Sequence, residues 1–263
     1  MYIWYSQRNA NNSSFWDDHW QGENLNWQMA AAKNSELIPI FKRHLPKNGK
    51  ILEAGCGQGI FVNALRELGY DIEGIDFGIQ TVSQINREFP NLPIKMGDIF
   101  KLPYPNNCLD AYISLGVIEH YQNNWQEPIK EASRVLKNGG FILVSVPYYN
   151  WFRRLYLPIR DLFRRRNDEF YAYVFKKNEI EDAITKAGFT VKTREFYGKA
   201  SVIMSIPIIG RLVKKLYPSA KKSYPIKNNH QTKTENRSIY RKIFDLLPNS
   251  IFSHMILIVA KKI

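Results

Sequence analysis

Three groups of residues in this chain have the types and spacing to do chemistry. Glu53-Ala-Gly-Cys-Gly-Gln-Gly59 places an acid ahead of three alternating glycines. Glycine has no Cβ to hold a ligand off the backbone, and a helix that starts at such a turn aims unpaired N–H groups at whatever lies over it. Asp76 follows at the end of an apolar run, about 20 residues after the turn, where a carboxylate accepts from both hydroxyls of a ribose. Phe77 beside it can pack on the face of a base. Glu119-His120 is an adjacent acid and imidazole, and the imidazole titrates in the range that proton transfer near neutrality needs. Packing of His120 against the preceding strand is the competing reading.

The details of the turn choose among nucleotide-type ligands. A phosphate-binding Walker loop needs a Lys-Ser/Thr pair after its last glycine, and none follows Gly59. The dinucleotide fingerprint needs a glycine where Ile60 stands. Glu53 at the strand end suits a cation bearing an amino group and is a poor neighbour for a pyrophosphate, so a NAD-dependent oxidoreductase is disfavoured.

These residues need strands and helices to hold them. Lys50–Ala54 is a short apolar strand, and Gln58–Leu68 repeats apolar residues at helical spacing. Asp71–Ile75, Ile94–Met96, Leu109–Leu115 and Phe141–Val146 read as further strands, with helices over Ile79–Phe89 and Gln126–Leu136 between them. The glycines of Lys137–Gly140 are expected to close the second of these helices in left-handed conformation. A helix over Lys176–Ala187, a strand over Gly188–Lys192 and a closing strand His254–Ala260 complete the series. Alternation of this kind predicts an α/β fold, a doubly wound, mostly parallel, seven-stranded Rossmann-like sheet. Residues 47–263 would form this domain, with insertions after its fifth and sixth strands at 148–172 and 198–250. Residues 1–46 would form a separate N-terminal piece: an aromatic arm, too poor in aliphatics for a compact element, and a helix over Trp27–His44 that Pro39 kinks or splits. The arm is either a lid over a ligand or a partly ordered segment anchored by its aromatics.

The glycine turn resembles the first motif of the class I S-adenosylmethionine-dependent methyltransferases. Gly97-Asp98-Ile99 falls where that family has an acid after its third strand. Leu102–Asp110 is similar to its "LPF.D..FD" run, with Asn106 in place of the first acid. Gly116–Tyr121 and Glu131–Pro147 resemble the blocks that follow, in the small-molecule, methyltransferase-11-like branch. The resemblance implies methyl transfer from S-adenosyl-L-methionine, leaving S-adenosyl-L-homocysteine. It further implies that Glu53, Gly55 and Gly57 hold the methionine portion, Asp76 the ribose, and Asp98 with Ile99 the adenine, while Leu115 lines the cofactor through its backbone. His120 is then the first candidate for a catalytic base, with Glu119 and Tyr121 behind it.

Charge is divided unevenly. Residues 1–150 hold 13 Lys/Arg and 15 Asp/Glu, whereas residues 151–263 hold 24 and 9. Such asymmetry points to an anionic partner or surface. The insertion at 148–166 interleaves aromatics with six arginines, and Val202–Tyr217 is apolar with basic residues at its far end. The two insertions either cap a small-molecule acceptor or touch an anionic membrane surface. No apolar run is long enough to span a bilayer, and Met1–Asn12 lacks an apolar signal core, so a cytoplasmic, peripherally associated protein is expected. Two cysteines suggest neither a disulfide framework nor a metal site. An RNA methyltransferase is an alternative, weakened because Leu-Gly-Val follows the fourth strand where amino-adenine enzymes carry an Asn/Asp-Pro-Pro-aromatic loop. A non-catalytic cofactor-binding membrane adaptor is the other.

Overall fold

The computed structural model describes residues 1–6, 13–20, 24–162, 168–198, 248 and 253–263. Apart from Gly198 and Pro248, the insertion expected at 198–250 lies outside the described residues.

In chain order, Tyr2–Ser6 forms β1, Ser13–Trp20 α1, Leu25–Ala32 α2 and Leu37–His44 α3. The alternating part runs through β2 (Lys50–Ala54), α4 (Ile60–Glu67), β3 (Asp71–Asp76), α5 (Ile79–Glu88), β4 (Ile94–Met96), β5 (Leu109–Leu115), α6 (Glu127–Val135) and β6 (Leu136–Pro147). Then come α7 (Trp151–Asp161), β7 (Glu169–Val174), α8 (Lys177–Lys186), β8 (Phe189–Tyr197) and β9 (Met255–Lys262).

The main sheet has seven strands in the order β4-β3-β2-β5-β6-β9-β8. It is parallel from β4 to β6, and β9 runs antiparallel to both of its neighbours. This is the α/β, mostly parallel, Rossmann-like sheet that the sequence predicts. Strand alternation sorts its side chains into two cores. On one face Leu52, Tyr112, Ile142, Val144 and Ile258 meet Ile129 and Val135 of α6 and Ile180 of α8. On the other, Ile51, Ala111, Ile113, Leu143 and Val259 meet helices α2 to α5. Burial on both faces explains why the strands read as continuous apolar runs rather than alternating ones. Strand order reverses between β2 and β5, so a crevice opens at their carboxyl ends, where such sheets bind ligands.

Four expectations need correction. Residues 1–26 do form elements: β1 pairs antiparallel with β7, from Tyr2 opposite Val174 to Ser6 opposite Glu169, and α1 packs against α5. The ladder and the aromatic contacts supply what the missing aliphatics do not. The helix expected over Trp27–His44 is split into two, but the break falls between Ala32 and Leu37 and not at Pro39. Asn24 caps the first by accepting from the Trp27 N–H at 2.9 Å, and Pro39 sits in the first turn of the second, where its missing N–H has no intrahelical partner to lose. Lys137–Gly140 does not cap a helix. Leu136 is already extended, fully buried and paired with Leu109, so packing and the ladder override the local glycine signal, and Gly139, at φ 80°, bends the strand instead. Finally, β8 runs on to Tyr197, because β9 pairs with it along its length.

Candidate active site

Every loop at the crevice leaves a strand of the parallel sheet. After β2, Gly55, Gly57 and Gly59 all take positive φ, at 76°, 50° and 67°. The turn is held from both sides: Gly55 and Cys56 N–H groups donate to the Ile75 carbonyl at 2.9 and 3.0 Å. A Cβ at Gly55 would lie 2.6 Å from Val117 Cγ2, and one at Gly59 2.0 Å from Ile94 Cδ1. Any side chain at either position is therefore excluded by both conformation and space.

Asp76 closes β3 and is buried. Its Oδ2 accepts from the Gly57 N–H at 2.8 Å and its Oδ1 from the Gly78 N–H at 2.9 Å. Each oxygen keeps a lone pair for a ligand hydroxyl. Burial raises the Asp76 pKa, against the pull of those N–H groups. Glu53 lies beneath the turn, and burial, aided by Asp76, pushes its carboxyl up to about 8. One of its oxygens, Oε2, is buried without a hydrogen-bond partner.

A cavity open to solvent lies over the turn. One wall is Gly55, Gly57, Asp76 and Phe77, with Leu115 and Gly116 from the end of β5. The other is aromatic: Trp16 and Trp20 of α1, His120 and Tyr121. Of the residues singled out in the sequence, Gly55, Gly57, Asp76, Phe77, Leu115 and His120 thus share one cavity. Glu53, Asp98 and Ile99 do not line it. Asp98 is exposed and accepts from the Phe100 N–H at 2.9 Å, while Ile99 is buried.

His120 stands on a short turn of 3-10 helix, Ile118–His120. Its Nδ1 lies 2.8 Å from the Tyr171 carbonyl of β7. A carbonyl only accepts, so Nδ1 carries the proton and the lone pair is left on Nε2. The ring packs edge-on to Trp16 and Tyr171, at centroid distances of 4.9 and 5.1 Å. Burial lowers its pKa to about 4, keeping the imidazole neutral at pH 7. Tyr121 is different: burial, Asp98 and Asp76 raise its pKa, so the phenol stays protonated and can donate but not abstract. Glu119 does not line the cavity; burial pushes it up to about 8, against the pull of Arg153.

Sequence reasoning missed Asp17. It is buried, and its Oδ1 accepts from both the N–H and the hydroxyl of Thr81, each at 2.9 Å. Gly78 at the N-cap of α5 has no side chain to cap with, so an acid from α1 does it across space. The Gln58 amide adds a hydrogen bond to the Trp20 carbonyl at 3.2 Å. Nothing local to Asp17 marks this role.

The methyltransferase-domain family description matches residues 52–144. A probable S-adenosylmethionine-dependent methyltransferase of Mycolicibacterium smegmatis is 30% identical over 142 residues, 54% of this chain and 52% of the relative. A demethylmenaquinone methyltransferase of Staphylococcus aureus is 27% identical over 177 residues, 58% of this chain and 73% of the relative. A solved SAM-dependent methyltransferase from Archaeoglobus fulgidus superposes with a TM-score of 0.56 at 18% identity, covering 95% of this chain and 99% of that one. The matched segment spans about half the length of the mycobacterial relatives. Residues 52–144 are a class I S-adenosylmethionine-dependent methyltransferase domain. Within this domain lie the glycine turn, Asp76, Leu115 and His120. The elements that complete the aromatic wall, α1 and β7, come from outside it.

The methyltransferase cradle passes two tests of fit to S-adenosylmethionine. Gly55 and Gly57 offer the cavity bare backbone with no side chain to hold a ligand off it, and the Oε2 of Glu53 is buried without a hydrogen-bond partner, a place for a donor of the kind an amino acid ammonium provides.

Proposed function

We propose that this chain transfers the methyl group of S-adenosylmethionine to a small apolar or amphiphilic acceptor, with His120 taking a proton where the acceptor must lose one. When bound, the cofactor supplies a methyl group already activated by a sulfonium leaving group. The protein's part is to bind, align and keep water out. Gly55 and Gly57 let the methionine portion lie on the backbone, and Glu53 meets its ammonium directly or through water. Asp76 receives the ribose hydroxyls and Phe77 packs on the base, whereas Asp98 and Ile99, expected at the adenine edge, stand outside the cavity. Trp16, Trp20 and Tyr121 form an apolar wall on the acceptor side, with α1 acting as a lid.

The observation that carries the reading is the pairing of the two walls in one cavity: glycines and the buried Asp76 on one, an aromatic lining with an imidazole hydrogen-bonded through Nδ1 on the other. The acceptor's proton goes to His120 Nε2 as the bond from its nucleophilic atom to the methyl carbon forms and the sulfur–carbon bond breaks. The aromatic wall favours a planar or apolar acceptor over a charged one. The quinone-type substrate in the name of the staphylococcal relative is of that kind.

The test is transfer of a tritiated methyl group to fractionated cell extracts. Label is expected in the organic-soluble, low-molecular-mass fraction, and a His120→Ala variant should transfer less while binding the cofactor normally. Label in RNA alone would sink the acceptor assignment. Cofactor binding with no transfer to any fraction would leave a non-catalytic binding protein instead.

A further inference from the structure

The helix α7 buries Leu157 and Arg153 on its inner side and turns a stripe of large apolar side chains outward. A surface helix normally turns its apolar stripe inward and its charges outward. Here Arg153 is only 5% exposed, and its guanidinium donates to the carbonyls of Tyr148 and His254 and to His254 Nδ1, each at 2.9 Å. Asp161 accepts from the Tyr2 hydroxyl and from Arg160. Outward instead point Trp151, Leu155, Ile159 and Leu162, exposed by 53%, 58%, 58% and 81%. At 3.6 residues per turn these positions share one arc of roughly 100°. Single exposed apolar side chains need no explanation. Four of the eight large ones exposed among the described residues fall on this one stripe, and that does need one.

The charge beside the stripe says what covers it. The exposed Arg154 holds its guanidinium 5.5 Å from the Trp151 ring. Arg164, Arg165 and Arg166 follow α7 directly in sequence, within a half of the chain that carries 24 basic and 9 acidic residues. Tryptophan and aliphatic side chains on one face with arginines at its border are the composition of a helix that lies in a membrane interface. None of the described helices is long and apolar enough to cross a bilayer. We propose that the outer face of α7, formed by Trp151, Leu155, Ile159 and Leu162, docks this protein on an anionic lipid bilayer. The position has a consequence for the cavity. Arg160 of α7 sits over the Trp4 ring at 5.2 Å, Trp4 packs on Tyr171 at 5.9 Å, and Tyr171 packs on His120. An acceptor carried in the bilayer would thus be met by a helix joined to the aromatic wall through Arg160, Trp4 and Tyr171. That consequence rests on the proposed methyl transfer; the docking itself does not.

The experiment is co-sedimentation of the full chain with vesicles of phosphatidylcholine alone or mixed with phosphatidylglycerol, at low and high salt, without cofactor or acceptor. Binding is expected to the anionic vesicles at low salt, weakened about ten-fold by high salt. The double substitution Leu155→Asp with Ile159→Asp should weaken it by a further ten-fold or so, and the milder Leu155→Ser should shift it the same way. Thermal melting and cofactor calorimetry should match the unsubstituted protein. No sedimentation with anionic vesicles, equal binding to neutral ones, or binding indifferent to the substitutions overturns the proposal. So does a dimer that these substitutions turn into monomers, which would make a second copy the occupant, or loss of RNA binding in place of vesicle binding. Failure here leaves the methyl-transfer reading intact, because no turnover is measured.

Discussion

The two walls of the cavity are built on different principles. The proposed cofactor wall is backbone: three left-handed glycines, Gly55, Gly57 and Gly59, and one carboxylate, Asp76, held by the N–H groups of Gly57 and Gly78. All of it lies within residues 52–144 and leaves the ends of adjacent parallel strands. The acceptor wall is side chain: Trp16, Trp20, His120 and Tyr121, steadied by a carbonyl of β7 and by aromatic contacts. Two of its elements come from regions that the family description does not reach. A wall made of backbone geometry tolerates almost no change, whereas a wall of side chains on added elements can be rebuilt for another acceptor while the cradle stays. Substitutions on the two sides should therefore fail differently.

The largest effect is expected at Asp76. Replacing it with Ala removes two charge-assisted bonds to the ribose, worth on the order of 1.5–3 kcal/mol each, and leaves the Gly57 and Gly78 N–H groups without their acceptor. Cofactor affinity should fall on the order of 10³-fold by calorimetry. An unchanged affinity would mean that the backbone wall does not bind the cofactor at all. His120→Ala is the matching test across the cavity: kcat should fall about 10²-fold, the range of a positioned general base, with cofactor affinity unchanged. A loss of affinity instead would merge the two walls into one.

The sequence was informative where structure is local or periodic. The strand–helix alternation, the glycine turn and Asp76 were all legible, because burial on both sheet faces leaves unbroken apolar runs and positive φ leaves glycines. The pairing of β1 with β7 was not, since Tyr2 and Val174 are far apart in the chain and each strand alone is short. Asp17 was missed for the same reason: a cap supplied from another helix leaves no spacing to read. Trp16 and Trp20 were visible as aromatics, but only tertiary structure brings Trp16 against His120 and Trp20 over Gly57, where its Cζ2 would lie 3.0 Å from an added Cβ.

A smaller effect separates the walls by pH. Glu53 has a folded pKa of about 8, above the ~4.3 of an unfolded glutamate. Its neutral form therefore stabilises the fold fully below ~4.3, and that stability is lost as pH rises through 8. His120 runs the other way: its folded pKa of about 4 lies below the unfolded ~6.5, so its contribution is present above ~6.5 and lost as pH falls toward 4. The two oppose each other between about pH 4.3 and 6.5; above that Glu53 acts in the same direction as Glu119, which burial likewise raises to about 8. Melting temperature should thus decline from pH 6.5 to 8, and less steeply in Glu53→Gln. An ammonium seated against Glu53 would pull its proton off, so cofactor binding at pH 7 should release about one proton. Calorimetry in buffers of different ionisation enthalpy reads this directly. The Glu53→Gln variant should release none and bind about ten-fold more weakly, in line with one lost charge-assisted bond. Proton release unaffected by the substitution would place the ammonium elsewhere.

The smallest expected effect bears most directly on where one wall ends and the other begins. Asp17 holds α1 to the N-terminus of α5 through Thr81, and α1 carries both tryptophans of the acceptor wall. Asp17→Ala removes an N-cap acceptor, for which the usual loss is about 1 kcal/mol, and thermal melting should show a drop of a few degrees. If α1 serves the acceptor, its loosening should raise the acceptor KM several-fold while the cofactor Kd barely moves, because the Asp76 and glycine contacts do not depend on it. Yet Trp20 lies close over Gly57, and the Gln58 amide donates to the Trp20 carbonyl. A cofactor Kd that weakens in step with the acceptor KM would therefore make α1 a shared lid, closing over donor and acceptor together, and the division between the walls would then run through that helix rather than beside it.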